Sequence, residues 1–555
     1  MFENEIKAYA LKNAIEFGKA DAGRILPKLF NHGLDRKDIG KIMPTIQEIV
    51  NEVNSMPKGD REEEYDELKA YVKEHEEKEK DLPELPNAVE GKVVTRLPPE
   101  PSKYLHAGHA LGFLLNYIYA QRYNGKCLLR FEDANPEKVS QEYVDMDLDD
   151  IENYLGIKPA SIRFVSDDMP LLYKHAETLI KKGKAYMCFC SQEKMRDFRH
   201  AGKECECRRQ SNDENMSEWN AFLKGKYNEG AATLRFKGNM QDQNQVLRDP
   251  VIFRSVHARH FRQGEKYKVW PMYDFYNPIE DGLMKVTHIL RTNEFDQRVP
   301  LQDAIKDILG LPKQTVVQYG RFNVIDDSTE AKAKGREIRA LVESGKYIGW
   351  DDPRLVTLKA LRRRGIKKEV FYELVKQLGL SKKEANIDFD MLAAISRKII
   401  DKDTKRYYFV ANPVPLSIKQ STESAKIKSV SLPVHPDSKE TREIKLGELY
   451  ISAEDKKENA GKETRLLHLY NIEMPKRGPN AEVTGIENKQ IPKIQWVSGH
   501  VPAKIFMPDA TWIEGYAEEA VKQLKVGEVI QFERFGFVKL DKITKGTYEF
   551  WFTHQ

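Results

Sequence analysis

The stretch TRLPPEPSKYLHAGHALGFLLNYIYAQRY, Thr95–Tyr123, decides the fold class. The residues VVTR that lead into it read as a short buried strand, the prolines stiffen a loop, and HAGH opens an apolar-periodic helix near Ala107. Strand-like and helical segments keep alternating to about Pro312, the pattern of an α/β domain built on a parallel sheet. His106 and His109 lie three apart at the helix start, so they approach the same side, near backbone N–H groups that favour phosphate. Gly108 removes a side chain where a flat base or a phosphate must come close. Two imidazoles so placed can donate to phosphate oxygens as charge develops in a transition state, without becoming covalent nucleophiles.

Outward from this segment, 555 residues exceed what one core usually organises and predict three or four domains. Forty per cent hydrophobic residues supply material for sizeable cores. No apolar run is long enough to span a bilayer, and the N-terminus lacks the compact apolar region of a secretory signal, so the expected address is cytoplasmic, with no membrane partner. Ninety Lys+Arg against eighty-six Asp+Glu give a net charge of +4, too little to show nucleic-acid binding by itself. Local runs differ: Gly59–Asp81 is acidic, whereas LKALRRRGIKKEV, Leu358–Val370, clusters positive charge that could meet phosphate.

The sequence predicts a multidomain α/β plus β protein. A helical appendage covers 1–90, with apolar stripes at Ile6, Ala10 and Ala14 and at Ile39, Ile42, Ile46 and Val50. The α/β domain covers 91–310 and includes an insertion near 185–255. A loop and helical connector cover 311–400, helical from about Asp352 to Arg397. The remainder, 401–555, carries short β-rich runs such as YYFVAN and VIQFERFGFVKL, and reads as β-barrels.

Four of the five cysteines fall in YMCFCSQEKMRDFRHAGKECECR, Tyr186–Arg208. Two CxC pairs, Cys188 with Cys190 and Cys205 with Cys207, can place four thiolates around a tetrahedral Zn²⁺. Cys127 reads as a packed strand residue.

PPEPSKYLHAGH resembles the first signature of class I aminoacyl-tRNA synthetases of the glutamyl and glutaminyl group, with Lys103 where a glycine and Ala107 where an isoleucine is usual. A backbone requiring positive φ at 103 would disfavour lysine. KCLLRFEDANPEK, Lys126–Lys138, resembles that group's second Rossmann strand and the acidic loop behind it. KVWPMYDFYNPIEDGLMKVTHILRTNEF, Lys268–Phe295, resembles its amino-acid pocket. Asn277 and Arg291 stand where glutaminyl enzymes usually have histidine and cysteine, which points to the glutamyl enzymes, and the resemblance with a β-barrel C-terminal region implies their archaeal-eukaryotic branch; a guanidinium suits the extra carboxylate of glutamate.

The resemblance implies a class I Rossmann catalytic domain, an acceptor-binding insertion and anticodon-binding β-barrels. It implies the ATP- and Mg²⁺-dependent joining of L-glutamate to AMP and transfer to the 3′ end of tRNA(Glu), with tRNA(Gln) open as a second acceptor. His106 and His109 then stabilise the transition state; Glu100, Pro101, Ser102, Ala107, Gly108 and Thr292 lie in the ATP pocket. Glu132 receives the substrate ammonium, Tyr273 and Asn277 fix the amino acid, and Arg96 and Arg291 face its carboxylates, Arg96 being assigned to the side chain. A mobile lysine loop is expected within IDDSTEAKAKGREIRALV, Ile325–Val342, where Lys332 and Lys334 supply charge. The zinc cluster falls in the insertion. A glutaminyl enzyme, a nucleotidyltransferase with an HxGH loop, and a catalytically inactive RNA-binding or scaffold homologue stay open as alternatives, and a monomer is compatible with the sequence.

Overall fold

The computed structural model describes residues 2–73, 81–325, 335–419 and 427–555. It divides into two compact units, Met1–Lys80 and Asp81–Gln555.

The first unit is helical, with Glu3–Phe17, Ala22–Leu29, Ile39–Ser55 and Lys58–Leu68 as its α-helices. Ile6, Ala10 and Ala14 of the first helix and Ile42, Ile46, Val50 and Val53 of the third form one buried cluster, because residues three or four apart share a helix face. This unit ends ten residues before the boundary at 90 read from the sequence. Leu82 and Leu85 are buried in the second unit's core instead, and the Tyr119 hydroxyl donates to the Pro83 carbonyl at 2.8 Å.

In the second unit, Val94–Leu97, Lys126–Phe131 and Ile162–Phe164 pair in parallel, with Val94 opposite Lys126 and Leu129 opposite Ile162. A hydrogen bond from Thr287 N to Val94 O carries the layer on to His288–Thr292, which pairs in parallel with Thr315–Tyr319. Lys126–Phe131 is buried at every residue after its first, as expected of a parallel strand covered on both faces. The helix Ala107–Arg122 buries Leu111, Leu114, Leu115 and Tyr119 in the same core. In sequence between these two parallel blocks stands a four-stranded antiparallel sheet of Ala185–Cys188, Thr233–Phe236, Val251–Ser255 and Val269–Pro271.

The region expected to be helical from Asp352 to Arg397 contains Leu358–Arg364, Lys368–Leu378 and Phe389–Ile400, but a strand, Ala385–Asp388, interrupts it and pairs in parallel with Phe322–Ile325. The three arginines of the basic run are engaged within the chain, whereas Lys367 and Lys368 are exposed. Arg362 pairs with Asp149 at 2.6 Å, and Arg363 with Asp351 at 2.7 Å and Asp541 at 2.8 Å. Arg364 is buried and donates to the carbonyls of Pro353 and Thr553. These side chains fasten the connector to acidic and backbone groups, two of them in the C-terminal strands.

Two seven-stranded sheets follow. One uses strands between Pro413 and Ser498. The other begins and ends with chain neighbours: Arg406–Tyr407 pairs with Val529–Phe532 at one edge and Phe409–Ala411 with Trp512–Glu518 at the other. Because one short stretch supplies both edges, the sheet must curl on itself, which gives the barrel-like form and hides strand edges. Among the described residues no helix is long and apolar enough to cross a membrane.

Candidate active site

A cavity of about 780 Å³ opens where the parallel strands end. Arg96, Glu100, His106, Gly108, His109, Glu132, Tyr273, Arg291 and Thr292 all line it. Pro101, Ser102, Ala107 and Asn277 do not. Ala107 is buried and its N–H donates to Val356 O at 3.1 Å. Ser102 Oγ donates to Glu100 at 3.1 Å, and Pro101 O accepts from Ser140 N.

At one end the two histidines form a reciprocal cap on the helix Ala107–Arg122. Gly108 N donates to His106 Nδ1 at 3.1 Å and His106 N to His109 Nδ1 at 3.2 Å. With both Nδ1 atoms accepting, each neutral ring carries its proton on Nε2. Burial, reinforced by the charges of Lys103 and Arg321, lowers His106 to about 4; burial, then His106 and Lys103, hold His109 well below the ordinary range. Both rings are therefore neutral donors near pH 7. A Cβ on Gly108 would stand 3.0 Å from Phe322 O and from the His106 ring, so close packing here requires glycine. Lys103 does not have positive φ. It fits the backbone at the position where glycine is usual, and lines the cavity with Arg321.

At the other end the charges are paired and buried. Arg130, fully buried, donates Nη1 to Asp281 Oδ1 at 2.7 Å and Nη2 to Glu132 Oε1 at 3.0 Å. Arg96 Nε lies 3.3 Å from the same Asp281 oxygen. Burial alone would raise Asp281, but Arg130 and Arg96 outweigh it and hold this carboxyl below its ordinary value. Burial raises Glu132 against the pull of Arg130, and the Tyr276 hydroxyl donates to its second oxygen at 3.3 Å. The Asn277 amide, oriented to pair donors with acceptors, receives Arg130 Nη2 at 2.8 Å and donates to Asp281 at 3.2 Å. Burial pushes the Tyr273 hydroxyl up to about 12, so it remains a neutral donor. The site thus joins neutral N–H donors and cations at one end to a carboxylate and two guanidinium groups at the other.

Residues 92–402 match the family model described as the catalytic domain of class I tRNA synthetases (E and Q). Residues 404–490 and 493–541 match two models of the anti-codon binding domain of the same group. The glutamate–tRNA ligase of Korarchaeum cryptofilum is 38% identical over 557 residues, covering 96% of each chain. That of Pyrococcus abyssi is 38% identical over 562 residues, again 96% of each, and that of Methanosphaera stadtmanae 35% identical over 567 residues, 100% of this chain and 99% of its own. The chain belongs to the glutamate–tRNA ligase family.

Within this class I synthetase the four clustered cysteines converge away from the cavity. Cys188, Cys190, Cys205 and Cys207 place their sulfurs within 4.8 Å of one another, with Cys190 Sγ and Cys207 Sγ at 3.9 Å and no disulfide. A tetrahedral Zn–S₄ centre with ~2.3 Å bonds has S···S edges of about 3.8 Å, so the donor set fits zinc. Hydrogen bonds from Cys188 and Cys205 hold Cys207 well below the ordinary thiol range. Cys127 is buried in its strand, where burial pushes its thiol up to about 12. Lys332 and Lys334 lie outside the described residues.

Arg130, Asp281 and the cavity-lining Arg321 escape the sequence reading. Arg130 is a charge inside the otherwise apolar KCLLRF strand, and Asp281 stands one helical turn after Asn277. Each carried a signal, a lone charge in a buried run or an acid on the pocket face of a helix, but only their contact reveals one network.

Proposed function

We propose that this chain activates L-glutamate with ATP and transfers it to the 3′ end of tRNA(Glu), with tRNA(Gln) as the second acceptor to be tested. The observation that carries this reading is the single cavity in which Glu132, Arg96 and Arg291 stand at one end and two Nε2–H imidazoles at the other.

Glu132 receives the substrate ammonium, and Tyr273 orients the amino acid. Asn277, off the lining, acts by holding Arg130 and Asp281. Arg96 faces the side-chain carboxylate and Arg291 the other carboxylate. A carboxylate oxygen of bound glutamate attacks the α-phosphorus in line and pyrophosphate leaves, so the protein supplies no covalent nucleophile. His106 and His109 donate through Nε2 to phosphate oxygens without changing protonation, while Lys103 and Arg321 offset the accumulating negative charge. The ATP pocket is assigned to Glu100, Pro101, Ser102, Ala107, Gly108 and Thr292: Glu100, Gly108 and Thr292 border the ligand, whereas Pro101, Ser102 and Ala107 support the loop and helix start. Mg²⁺ bound to the ATP phosphates supplies charge neutralisation, and the Glu100 carboxylate offers a hard oxygen ligand. Lys332 and Lys334 remain assigned to the lysine loop.

The antiparallel insertion takes the acceptor end of tRNA, the β-rich sheets from about Tyr407 read the anticodon, and the helical first unit is an appendage. The four cysteines hold one structural Zn²⁺, which crosslinks the start and end of the Cys188–Cys207 segment. Metal analysis of reduced protein purified without added zinc should give about one Zn²⁺ per chain, lost on Cys188→Ser; stoichiometry near zero in active protein removes the zinc assignment. Charging of purified tRNA(Glu) and tRNA(Gln), each with glutamate and with glutamine, tests the reaction. Glutamate attachment supports it; attachment of glutamine alone would favour a glutaminyl enzyme, and no ATP/pyrophosphate exchange with tRNA present would favour an inactive homologue.

A further inference from the structure

Arg291 is one of three buried arginines at the amino-acid end, and it is held differently from the other two. Arg96 and Arg130 both reach Asp281, and Arg130 also reaches Glu132. Among the described residues no carboxylate lies within ion-pair distance of Arg291. Its Nη1 instead donates to the neutral amide oxygen of Gln302 at 3.0 Å, and its Nε is buried without a partner. Gln302 is itself buried and does not line the cavity. Its Nε2 donates to Asp274 Oδ1 at 3.2 Å, and the other oxygen of Asp274 pairs with Arg298. Gln302 therefore stands as a neutral spacer between the Asp274–Arg298 pair and Arg291.

The consequence is electrostatic. Two cations, Arg96 and Arg130, face two anions, Glu132 and Asp281, and Asp274 faces Arg298. These groups cancel and leave the charge of Arg291. Glutamate enters as an ammonium with two carboxylates, a net charge of −1, so the uncommitted cation matches it. Had position 302 carried a carboxylate, Arg291 would be paired before substrate arrived, and a buried ion pair of that kind resists being broken.

We infer that Gln302 is a positioning residue for glutamate binding, orienting Arg291 through an amide while leaving its charge free for a substrate carboxylate. The inference rests on the reaction proposed above. It assigns Gln302 no contact with substrate: the amide fixes the guanidinium plane, and the guanidinium makes the charge-assisted contact.

The test compares full-length Gln302→Glu, Gln302→Leu and wild type in ATP/pyrophosphate exchange with tRNA present, with ATP binding as a check on folding. Gln302→Glu supplies an anion at nearly constant shape and should raise KM for glutamate by about 30-fold or more at pH 8, with KM for ATP unchanged. Its new carboxyl faces Asp274, and two such acids share a proton as pH falls, so its KM should recover toward pH 6 while the wild-type profile stays flat. Gln302→Leu keeps the cation but loses its orientation; KM should rise by no more than about tenfold, with no pH-dependent recovery. If Gln302→Glu does not fold, the leucine variant decides: a loss as large as that of Arg291→Leu overturns the inference. A Gln302→Glu enzyme within threefold of wild type also overturns it, as do equal losses with equal pH profiles in both variants. A wild-type protein that fails to activate glutamate at all would instead refute the proposed reaction.

Discussion

The two ends of the cavity solve opposite electrostatic problems. At the amino-acid end, Arg96, Arg130, Glu132 and Asp281 are buried and mutually paired. At the histidine end, two neutral rings capped by backbone N–H groups stand beside Lys103 and Arg321. Fixed, complementary charge suits a small ligand with an invariant charge pattern. Neutral donors backed by nearby cations suit phosphate, whose charge shifts during reaction, because they need no proton transfer to respond. The difference predicts that damage at the first end appears in folding and amino-acid affinity, and damage at the second in the rate of adenylate formation.

The largest effect should come from Arg130→Leu, which removes the one cation paired with buried Glu132 among the described residues, leaves Asp281 with Arg96 alone and should cost about 3–5 kcal/mol of stability by denaturant unfolding. The double variant Arg130→Leu with Glu132→Gln should regain part of that loss, because it removes the charge left unpaired. If the single variant is as stable as wild type, the network does not hold this end together. His106→Ala and His109→Ala should instead slow adenylate formation by about 10²–10³-fold, roughly 2.7–4 kcal/mol in barrier, with little change in KM for glutamate. A shift mainly in glutamate KM would erase the distinction between the two ends.

A smaller effect concerns Glu280, fully buried beside Arg130, with neither oxygen partnered among the described residues. Burial raises its carboxyl to about 8. A raised folded value means that the fold retains a proton which the unfolded chain releases. Its stabilising contribution is therefore complete below the ordinary carboxyl range and falls by about 1.4 kcal/mol per pH unit as pH rises toward 8. Glu280→Gln should flatten that decline, with similar stability at pH 5 and a gain over wild type at pH 8. An unchanged slope in thermal or denaturant unfolding across this range would show that Glu280 is not the group responsible.

The smallest effect is expected from Lys103→Gly. Removing this cation should raise KM for ATP about threefold to tenfold and let His106 rise from about 4 toward its ordinary value. A protonated His106 Nδ1 cannot accept from Gly108 N, so the acid-side loss of activity should move to higher pH. An acid limb that stays where wild type has it would mean that burial and Arg321 set the neutrality of His106 without Lys103.

Much was legible before any coordinates. The strand, loop and helix around His106, the paired cysteines and the alternating segments up to Pro312 follow from local periodicity and spacing, and each has its counterpart in the structure. Charge runs were less readable. LKALRRRGIKKEV has the composition of a phosphate-binding helix, yet Arg362, Arg363 and Arg364 meet Asp149, Asp351, Asp541 and the carbonyl of Thr553. Their partners come from as far as 189 residues away, beyond the reach of any local pattern. The strand Ala385–Asp388 escaped for a related reason, since its parallel partner, Phe322–Ile325, is distant in sequence.

The sequence by itself determined the residue types at each end of the cavity: two histidines at helical spacing, an acid after an apolar strand, and arginines placed to face carboxylates. Tertiary structure decided which charges remain available. Arg96, Arg130 and Arg291 are chemically identical in the sequence, but two of them reach carboxylates and the third reaches an amide. Side-chain chemistry is local, whereas electrostatic free energy depends on every charge and dipole brought close by folding. That is why the histidines could be located from a contiguous motif and the family signature it resembles, while the uncommitted cation became visible only when Gln302 was seen beside it.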